Sequence, residues 1–416
     1  MKLYEYQQEA VDDLANGKKI VVAKTGLGKT AMMMTWLKST GRKKVLIVTT
    51  PSKRDSGDME VEADMWCGKE WRTSLSSFIV VSWHGLAKWW QEEIATKYYG
   101  KEAFSREWAV GFDEVAKAGA GISSRMGTTF LQMTNANKCW TGYTGTPGDT
   151  WIKFYPYFTA CGLVKHKTDF QSKYCKIQTW RGFPEIIGYN NEPELKAMWK
   201  KISTAPDSSE VDKQLPSERH EVVKFKQPAG YKKFLKDRIH PETKEFVETT
   251  MGVCHTARQL CFSKQKREWV KDFIEDLGTN AVFFCNYIEE EDELEKIAKK
   301  ALPKGARIWR IDGKHHEIPT ANTIGDKDIV IAHYASGGEA LNLQFMHYWV
   351  SVSPNYSYAM SIQARGRIKR IGQKHKCMFY YLKCLNTIEE AVYKCLSAKQ
   401  DFAEDTWAIA QGIKEE

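Results

Sequence analysis

The sequence lacks an apolar run long enough to cross a membrane, a CxxC pair of cysteines and, at its beginning, the features of a signal peptide. A spanning helix needs roughly 20 consecutive apolar residues, and the opening MKLYEYQQEA has no apolar core of the secretory kind. The 10 cysteines are scattered, and most lie in apolar segments such as AVFFCNY. Because reduced core thiols show this pattern, we predict a soluble cytoplasmic protein with no membrane partner.

The chain also lacks internal repeats, low-complexity segments and a strong excess of one charge. Its 61 lysines and arginines are interspersed with 52 aspartates and glutamates, which leaves a formal net charge of +9. This mild excess suits a polyanionic partner but does not define one. With 416 residues, of which 42% are hydrophobic, the chain is long enough for about two or three globular domains.

What the sequence does contain is short β-rich segments that alternate with helical patterns, in two sets. The first set is KKIVVAKT, KVLIVTT, FIVVSW, EWAVGFDE and KCWTGYTGTP, and the second is NAVFFCNY, RIWRIDG, DIVIAHY, HYWVSVS and MFYYLKC. Apolar strands separated by helices are typical of parallel sheets covered on both faces. We therefore predict an α/β fold with two lobes, at residues 1–160 and 265–416, and a helical insertion at 161–264. The pattern after Thr387 predicts a last helix that packs on the second lobe.

The segment AKTGLGKT, at residues 23–30, fits the phosphate-loop pattern except that alanine replaces the first glycine. It follows an apolar strand and precedes a helical pattern, which is the context that the motif requires. Glycines allow backbone N–H groups to surround a phosphate, the lysine neutralises the β- and γ-phosphates, and the threonine coordinates Mg²⁺. The predicted nucleotide-binding residues are Thr25, Gly26, Gly28, Lys29 and Thr30.

The segment EWAVGFDEVAK places Asp113 and Glu114 at the end of an apolar strand. Strand ends in a parallel sheet meet at one edge, beside the phosphate loop. There Asp113 would hold Mg²⁺, and Glu114 would orient and deprotonate the attacking water. A cap on the strand end is the other explanation of an Asp–Glu pair, and the phosphate loop upstream favours hydrolysis.

The basic segment QARGRIKRIGQKHK predicts two stripes if it is helical. Gln363, Arg367 and Arg370 stand at i, i+4 and i+7, whereas Arg365 and Lys369 form a second stripe. The first stripe would contact the γ-phosphate as it leaves, and the second would contact a polyanion. A solvated helix face is the alternative.

Taken in this order, the motifs resemble superfamily 2 helicases and, within them, the Snf2-like (SWI2/SNF2) translocases. LYEYQQEAV is similar to the Gln motif, AKTGLGKT to motif I, IVTTPSKR to Ia, FIVVSWHGLAK to Ib, GFDEVAK to II and GYTGTP to III. AVFFCNY is similar to motif IV, ASGGEALNLQ to V and QARGRIKRIGQ to VI. The resemblance spans nearly the whole chain and implies two tandem RecA-like lobes that close over ATP.

The resemblance also implies a role for each matching residue. Gln7 would read adenine, Arg367 and Arg370 would act as arginine fingers, and Gln363 would face the γ-phosphate region. Cofactors would be ATP and Mg²⁺, and the partner would be double-stranded or branched DNA bound by a monomer. The residues implied to contact the nucleic-acid backbone are Pro51, Ser52, Thr146, Ser336, Gly337, Gly338 and Asn342.

Ala116 departs from the family pattern, because motif II commonly ends in histidine at this position. That histidine links nucleotide state to nucleic-acid contact, so coupling here would be weaker or rerouted. No accessory chromatin-reading or nuclease module is visible, and this minimal form favours a compact genome such as that of a phage. A nuclear location stays open.

Two other functions remain open from the sequence. One is true strand separation on DNA or RNA, and the other is a nucleotide-gated binding module with weak hydrolysis. Tryptophans such as Trp89, Trp90, Trp151 and Trp180 could stack on bases or pack in a core. Basic clusters at residues 165–176 and 264–271 could line a nucleic-acid track or be solvated faces.

Overall fold

A computed structural model of the chain describes residues 2–24, 26–119, 124–180, 183–207, 209, 215–315, 317–337, 342–370, 373–404, 407 and 410–411. The chain divides into two compact units, Met1–Glu210 (unit 1) and Val211–Glu416 (unit 2). Each unit is built around a six-stranded sheet whose paired strands are all parallel. This architecture confirms the predicted α/β fold with two RecA-like lobes.

The strands of unit 1 form a parallel sheet in the order β3-β2-β4-β5-β1-β8 and a separate antiparallel hairpin, β6-β7. They are β1 (Ile20–Val22), β2 (Lys44–Thr49), β3 (Ser77–Ser82), β4 (Trp108–Asp113), β5 (Trp140–Thr144), β6 (Cys175–Trp180), β7 (Phe183–Tyr189) and β8 (Ser203–Thr204).

The helices of unit 1 surround this sheet. They are α1 (Glu5–Ala15), α2 (Lys29–Ser39), α3 (Pro51–Asp55), α4 (Asp58–Cys67), α5 (Lys69–Thr73), α6 (Leu86–Trp90), α7 (Gly100–Glu107), α8 (Ala116–Gly119), α9 (Arg125–Ala136), α10 (Tyr155–Ala160), α11 (Lys167–Tyr174) and α12 (Glu192–Ile202). A π-helical turn, Gln91–Ala95, follows α6, and a 3₁₀ turn, Trp151–Phe154, precedes α10.

Aromatic side chains fill the core of unit 1 on one face of the sheet. Trp83, Phe112, Phe130 and Trp140 are buried, and their ring centroids lie 5.0 to 6.4 Å apart. Every residue of β4 is buried, as expected for an inner strand covered on both faces. The carboxyl ends of these parallel strands therefore meet at one well-supported edge.

The tryptophans considered as base-stacking candidates belong to this packing. Trp90 is buried and lies 5.2 Å from Phe104, centroid to centroid. Trp89 is half-buried against the same ring, and Trp151 is half-buried against Phe154. The side chain of Trp180 lies outside the described residues. For the three described tryptophans, core packing is the observed role.

Unit 2 has the sheet order β11-β12-β10-β13-β14-β9. Its strands are β9 (Glu218–Phe225), β10 (Ala281–Cys285), β11 (Ile308–Ile311), β12 (Ile329–His333), β13 (Tyr348–Ser351) and β14 (Cys377–Cys384). Its helices are α13 (Tyr231–Asp237), α14 (Thr250–Cys261), α15 (Lys264–Asp276), α16 (Ile288–Ala301), α17 (Tyr334–Gly337), α18 (Tyr358–Arg365) and α19 (Ile388–Ser397). α19 buries Ile388 and Val392 in the core of unit 2, which confirms the predicted last helix.

The segment predicted as a helical insertion also contains strands. β6 and β7 form the hairpin of unit 1, β8 pairs with β1, and β9 pairs with β14 along its whole length. Its basic and aromatic composition predicted helices and did not indicate these strands. The predicted boundaries at residues 160 and 264 stay a prediction. No described helix is both long and apolar enough to span a bilayer.

A buried ion pair joins α15 to α19 in unit 2. The side chains of Lys266 and Glu389 are both fully buried, with Nζ and Oε1 2.7 Å apart. Lys266 also donates to the Val352 carbonyl oxygen at 2.9 Å, and Glu389 accepts from the backbone N–H of Cys384 at 2.9 Å. Lys266 is therefore a core residue, although the basic cluster around it was interpreted as a nucleic-acid track or a solvated face.

Candidate nucleotide site and nucleic-acid-contacting residues

The phosphate loop lies between β1 and α2 and has the backbone geometry of an anion site. Gly26 and Gly28 have φ angles of +90° and +75°, in the left-handed region that favours glycine. Because α2 begins at Lys29, its first N–H groups and the positive end of its dipole lie at the loop. Lys29 Nζ donates to the Ala23 carbonyl oxygen at 3.1 Å. These groups can bind a phosphate. The predicted Thr25 lies outside the described residues.

Gln7 lies beside this loop, with only 2% of its surface exposed. Its Oε1 accepts from the Tyr4 backbone N–H at 3.0 Å, and its Nε2 donates to the Tyr6 hydroxyl at 3.1 Å. Nε2 also donates to the carbonyl oxygen of Leu27, inside the phosphate loop, at 3.1 Å. The amide therefore supports the loop, and its contact with adenine stays a prediction.

Asp113 ends β4 and is held by three groups of unit 1. Its Oδ2 accepts from the Thr49 hydroxyl at 2.8 Å and from Lys53 Nζ at 2.7 Å. Its carbonyl oxygen accepts from Trp83 Nε1 at 2.8 Å. Although burial alone would raise the pKa of the Asp113 carboxyl, the Lys53 ammonium and the Thr49 hydroxyl lower it below its ordinary value. The carboxylate is therefore charged and held in one orientation.

Glu114 follows directly and has an unusual backbone conformation. Its φ of +49° lies in the left-handed region, which a residue with a side chain rarely adopts. The next N–H, of Val115, donates to the Tyr143 carbonyl oxygen at 3.0 Å, which holds the chain after the turn. Glu114 itself is half-buried. Strained backbone of this kind is concentrated at functional sites, which is consistent with the role predicted for Glu114.

The donor chemistry at this sheet edge fits Mg²⁺. Asp113 offers a carboxylate at the end of β4, and Thr30 offers a hydroxyl in the first turn of α2. Mg²⁺ prefers hard oxygen ligands, commonly one or two from the protein together with phosphate oxygens. Thr30 and Asp113 are thus the residues that would hold the metal.

In unit 2, the motif QARGRIKRIGQ begins in α18 but does not continue as a helix. α18 ends at Arg365, and Gly366 is its C-cap. The Arg367 N–H donates to the Ala364 carbonyl oxygen at 3.2 Å in a tight turn, and the Arg367 carbonyl oxygen accepts from the Leu343 N–H at 3.1 Å. Since this tertiary hydrogen bond takes a carbonyl group that a longer helix would use, the chain leaves the helix here. The prediction of helical stripes through residue 370 is wrong.

The polar and charged side chains of this motif nevertheless differ in burial and in their partners. Arg367 is only 5% exposed, whereas Gln363 and Arg370 are half-buried. Lys369 forms an ion pair with Glu218 at 2.9 Å, and Arg365 donates to the Tyr381 hydroxyl at 3.3 Å. The contacts predicted for these residues with a γ-phosphate and with a polyanion stay predictions.

The nucleic-acid residues predicted in unit 1 lie at the carboxyl ends of its strands. Pro51 and Ser52 begin α3, just after β2. Thr146 follows β5, and its N–H donates to the Thr144 hydroxyl at 3.1 Å. They therefore share the sheet edge that carries the phosphate loop.

The nucleic-acid residues predicted in unit 2 follow β12. Ser336 and Gly337 end the short helix α17, and Asn342 is exposed. Gly338 lies outside the described residues.

Sequence reasoning missed Lys53 and Thr49, the two side chains that donate to the Asp113 carboxylate. Lys53 lies two residues after the predicted Pro51, but a lone lysine there gives no signal of a carboxylate partner 60 residues away in the chain. Thr49 ends an apolar strand, where its hydroxyl has no distinctive pattern. Both contacts depend on which strands are neighbours.

The fold defines an α/β protein with two RecA-like lobes. No family model matches the chain. It is similar to the SWI/SNF-related matrix-associated actin-dependent regulator of chromatin subfamily A-like protein 1 homolog of Caenorhabditis elegans, with 24% identity over 272 residues, 59% of this chain and 38% of that protein.

Two further relatives match shorter segments. The DNA repair and recombination protein RAD54B of Mus musculus is 29% identical over 126 residues, 29% of this chain and 14% of that protein. An uncharacterized ATP-dependent helicase of Mycoplasma pneumoniae is 26% identical over 131 residues, 30% of this chain and 12% of that protein. The chain spans less than two-fifths of the length of these relatives. They confirm its resemblance to Snf2-type, SWI/SNF-related ATP-dependent helicases.

Proposed function

We propose that the chain is a DNA-stimulated ATPase that uses hydrolysis to translocate along double-stranded or branched DNA. The observation that carries this proposal is one sheet edge of unit 1, where the phosphate loop and the Asp113–Glu114 pair lie at the ends of parallel strands. The relatives support it, because one is described as an ATP-dependent helicase and another as a DNA repair and recombination protein.

In this proposal the residues of unit 1 bind the triphosphate and prepare the water. The N–H groups of the loop and the Lys29 ammonium bind the β- and γ-phosphates. Thr30 and Asp113 hold Mg²⁺, which when bound neutralises charge on the phosphates. Glu114 orients the attacking water and accepts its proton.

Unit 2 would supply the positive charge that phosphoryl transfer requires. Arg367 and Arg370 carry this charge in the proposal, and Gln363 contacts the γ-phosphate region. An arginine supplied in this way commonly raises the rate by roughly 10³ to 10⁵. The near-burial of Arg367 supports a fixed guanidinium, since a buried side chain has few rotamers available.

The protein would bind DNA through contacts with the phosphate backbone and not with the bases. The predicted contacts are short polar side chains and backbone N–H groups at strand ends, which suit phosphate oxygens and carry no sequence information. We therefore expect binding to many sequences, with an affinity that falls steeply as salt is raised.

ATP-dependent displacement of the third strand of a DNA triplex tests translocation. We expect displacement by the wild-type protein with ATP and none with a non-hydrolysable analogue. Failure to displace the third strand, in a protein whose ATP turnover is stimulated by duplex DNA, would exclude translocation and leave a DNA-stimulated ATPase.

A second candidate, true strand separation, is favoured by the hairpin β6-β7. Ile177 and Ile187 on its two strands are 45% and 61% exposed, and an exposed apolar hairpin is an element that could part a duplex. A fork-unwinding assay separates the two functions. Unwinding that is lost in an Ile177→Ser, Ile187→Ser variant, with ATPase activity retained, would support strand separation over translocation on duplex DNA.

A further inference from the structure

The carboxylate of Asp113 is engaged by a lysine from the segment that begins α3. Lys53 Nζ and Asp113 Oδ2 are 2.7 Å apart, and the two side chains are 19% and 1% exposed. An ion pair this far from solvent keeps much of its electrostatic strength, because water does not screen it. Lys53 is therefore a strong local competitor for any other cation at this carboxylate.

The sheet topology explains why this lysine reaches this aspartate. β2 and β4 are neighbouring parallel strands with Val48 opposite Phe112, so their carboxyl ends lie side by side. α3 begins two residues after β2 ends. Lys53 lies in this first turn, which brings its ammonium over the end of β4.

The neighbouring cation Arg54 is engaged elsewhere. Its Nη1 donates to the Ser82 hydroxyl at 3.2 Å, and its Nη2 lies 2.7 Å from Asp55 Oδ1. Two adjacent basic residues of α3 thus have different partners, and only Lys53 contacts the predicted metal ligand. Arg54 therefore serves as a matched control.

We propose that Lys53 and the divalent cation compete for Asp113, so that binding of the metal–nucleotide complex releases Lys53 from the carboxylate. This inference rests on the proposed function and adds a regulatory residue to it. An ammonium at 2.7 Å from Oδ2 and a divalent cation on the same carboxylate repel each other. The lysine stem is long and flexible, so the ammonium can leave without moving the strand.

The position of Lys53 gives this release a consequence for nucleic-acid binding. Pro51 and Ser52, the predicted backbone contacts of unit 1, precede it in the same helix. A released ammonium at this place is available to a phosphate of the nucleic acid. Release of Lys53 thereby couples metal binding at Asp113 to the segment that is predicted to contact nucleic acid. Ala116, which stands in place of the histidine expected to make this coupling, has no side-chain hydrogen bond to offer.

The test measures how much Mg²⁺ is needed for binding of a fluorescent, non-hydrolysable ATP analogue. In Lys53→Met the competitor is gone, so the Mg²⁺ midpoint should fall at least about fivefold, which corresponds to about 1 kcal/mol in favour of the metal. Arg54→Met should keep the wild-type midpoint. If Lys53→Met does not fold, Lys53→Gln, which keeps a hydrogen-bond donor, carries the same prediction.

A second readout is the affinity for duplex DNA with and without the analogue and Mg²⁺. The change in affinity on nucleotide binding should be smaller in Lys53→Met than in the wild type. An unchanged or raised Mg²⁺ midpoint in Lys53→Met, beside a wild type that binds the analogue, would overturn this inference alone. Absence of analogue binding by the wild type at every Mg²⁺ concentration would overturn the proposed function and this inference with it.

Discussion

Gly28 and the side-chain amide of Gln7 pack directly against each other: a Cβ atom on Gly28 would lie 2.3 Å from Gln7 Nε2. That nitrogen also donates to the Leu27 carbonyl oxygen at 3.1 Å, so the helix α1 and the phosphate loop are joined through one buried amide. The conformation of the phosphate loop and the position of Gln7 are therefore physically coupled by contacts within the protein.

We predict that Gly28→Ala weakens nucleotide binding. The new methyl group would displace Gln7, and alanine at a φ of +75° is strained as well. Equilibrium binding of a fluorescent ATP analogue measures the effect, and an affinity loss of at least about tenfold is expected. Gly278→Ala is the control, since nothing lies within 4 Å of its Cβ position. Wild-type affinity in Gly28→Ala would contradict the loop geometry.

We predict that Arg367→Ala abolishes most ATP turnover while DNA binding and nucleotide binding persist. The expected loss in kcat is at least about 10²-fold, because the side chain would stabilise charge that develops only during phosphoryl transfer. Steady-state ATPase assays with saturating DNA provide the measurement.

Arg219→Ala is the control, since the Arg219 side chain is 61% exposed and pairs with Glu221 within unit 2. It should keep at least most of the wild-type turnover. Because Arg367 is nearly buried, thermal unfolding must show that the variant is folded. Full ATPase activity in a folded Arg367→Ala protein would show that the assignment is wrong.

We predict that Lys266→Met destabilises unit 2 by about 3 to 5 kcal/mol, because it leaves the Glu389 carboxylate buried without its partner. Although burial opposes the charged form, the Glu389 carboxylate raises the pKa of Lys266, so the wild-type ammonium is charged. Urea unfolding gives the free energies. Lys264→Met, which removes an 87% exposed side chain, should change the unfolding free energy by less than about 1 kcal/mol.

The double variant Lys266→Met, Glu389→Leu provides the second half of this test. Replacing both charges should recover most of the lost stability, since no unpaired charge remains in the core. A double variant as unstable as Lys266→Met would show that the unpaired buried charge is not the cause of the loss.

We predict a pH-dependent effect for Glu291→Gln. Burial raises the pKa of Glu291 to about 7, even though Arg310 lies 3.1 Å away. The folded carboxyl therefore keeps a proton that the unfolded chain loses near the ordinary pKa of 4.5, so this contribution to stability is present below 4.5 and is lost as pH rises through 7.

Glutamine stays neutral at every pH, so the stability of the variant relative to the wild type should rise between pH about 5 and about 8. Urea unfolding across this range gives the comparison. Parallel stability profiles for wild type and Glu291→Gln would contradict the prediction.

Strand patterns and turn motifs predicted both sheets and the phosphate loop, because an inner parallel strand such as β4 must be apolar throughout and a phosphate loop needs its glycines. Contacts between distant segments were not predictable in this way. The partners of Asp113 depend on β2 lying beside β4, and the burial of Lys266 depends on α19 packing against α15.

The local sequence pattern also gave a wrong prediction of helix where a tertiary hydrogen bond ends the helix. The residues after Arg365 suit a helix, yet the Arg367 carbonyl oxygen bonds to Leu343 and the helix ends. β8 and β9 were missed because both are edge strands with weak patterns: β8 is only Ser203–Thr204, and β9 is only partly apolar.

The initial rate of ATP hydrolysis by the purified protein, with and without duplex DNA, tests the central claim most directly. We expect Mg²⁺-dependent turnover that duplex DNA raises at least about tenfold, no turnover in Lys29→Ala, and wild-type behaviour in Lys43→Ala, whose side chain is exposed on the same unit. Turnover that no DNA or RNA changes, or turnover that persists in Lys29→Ala, would contradict the account.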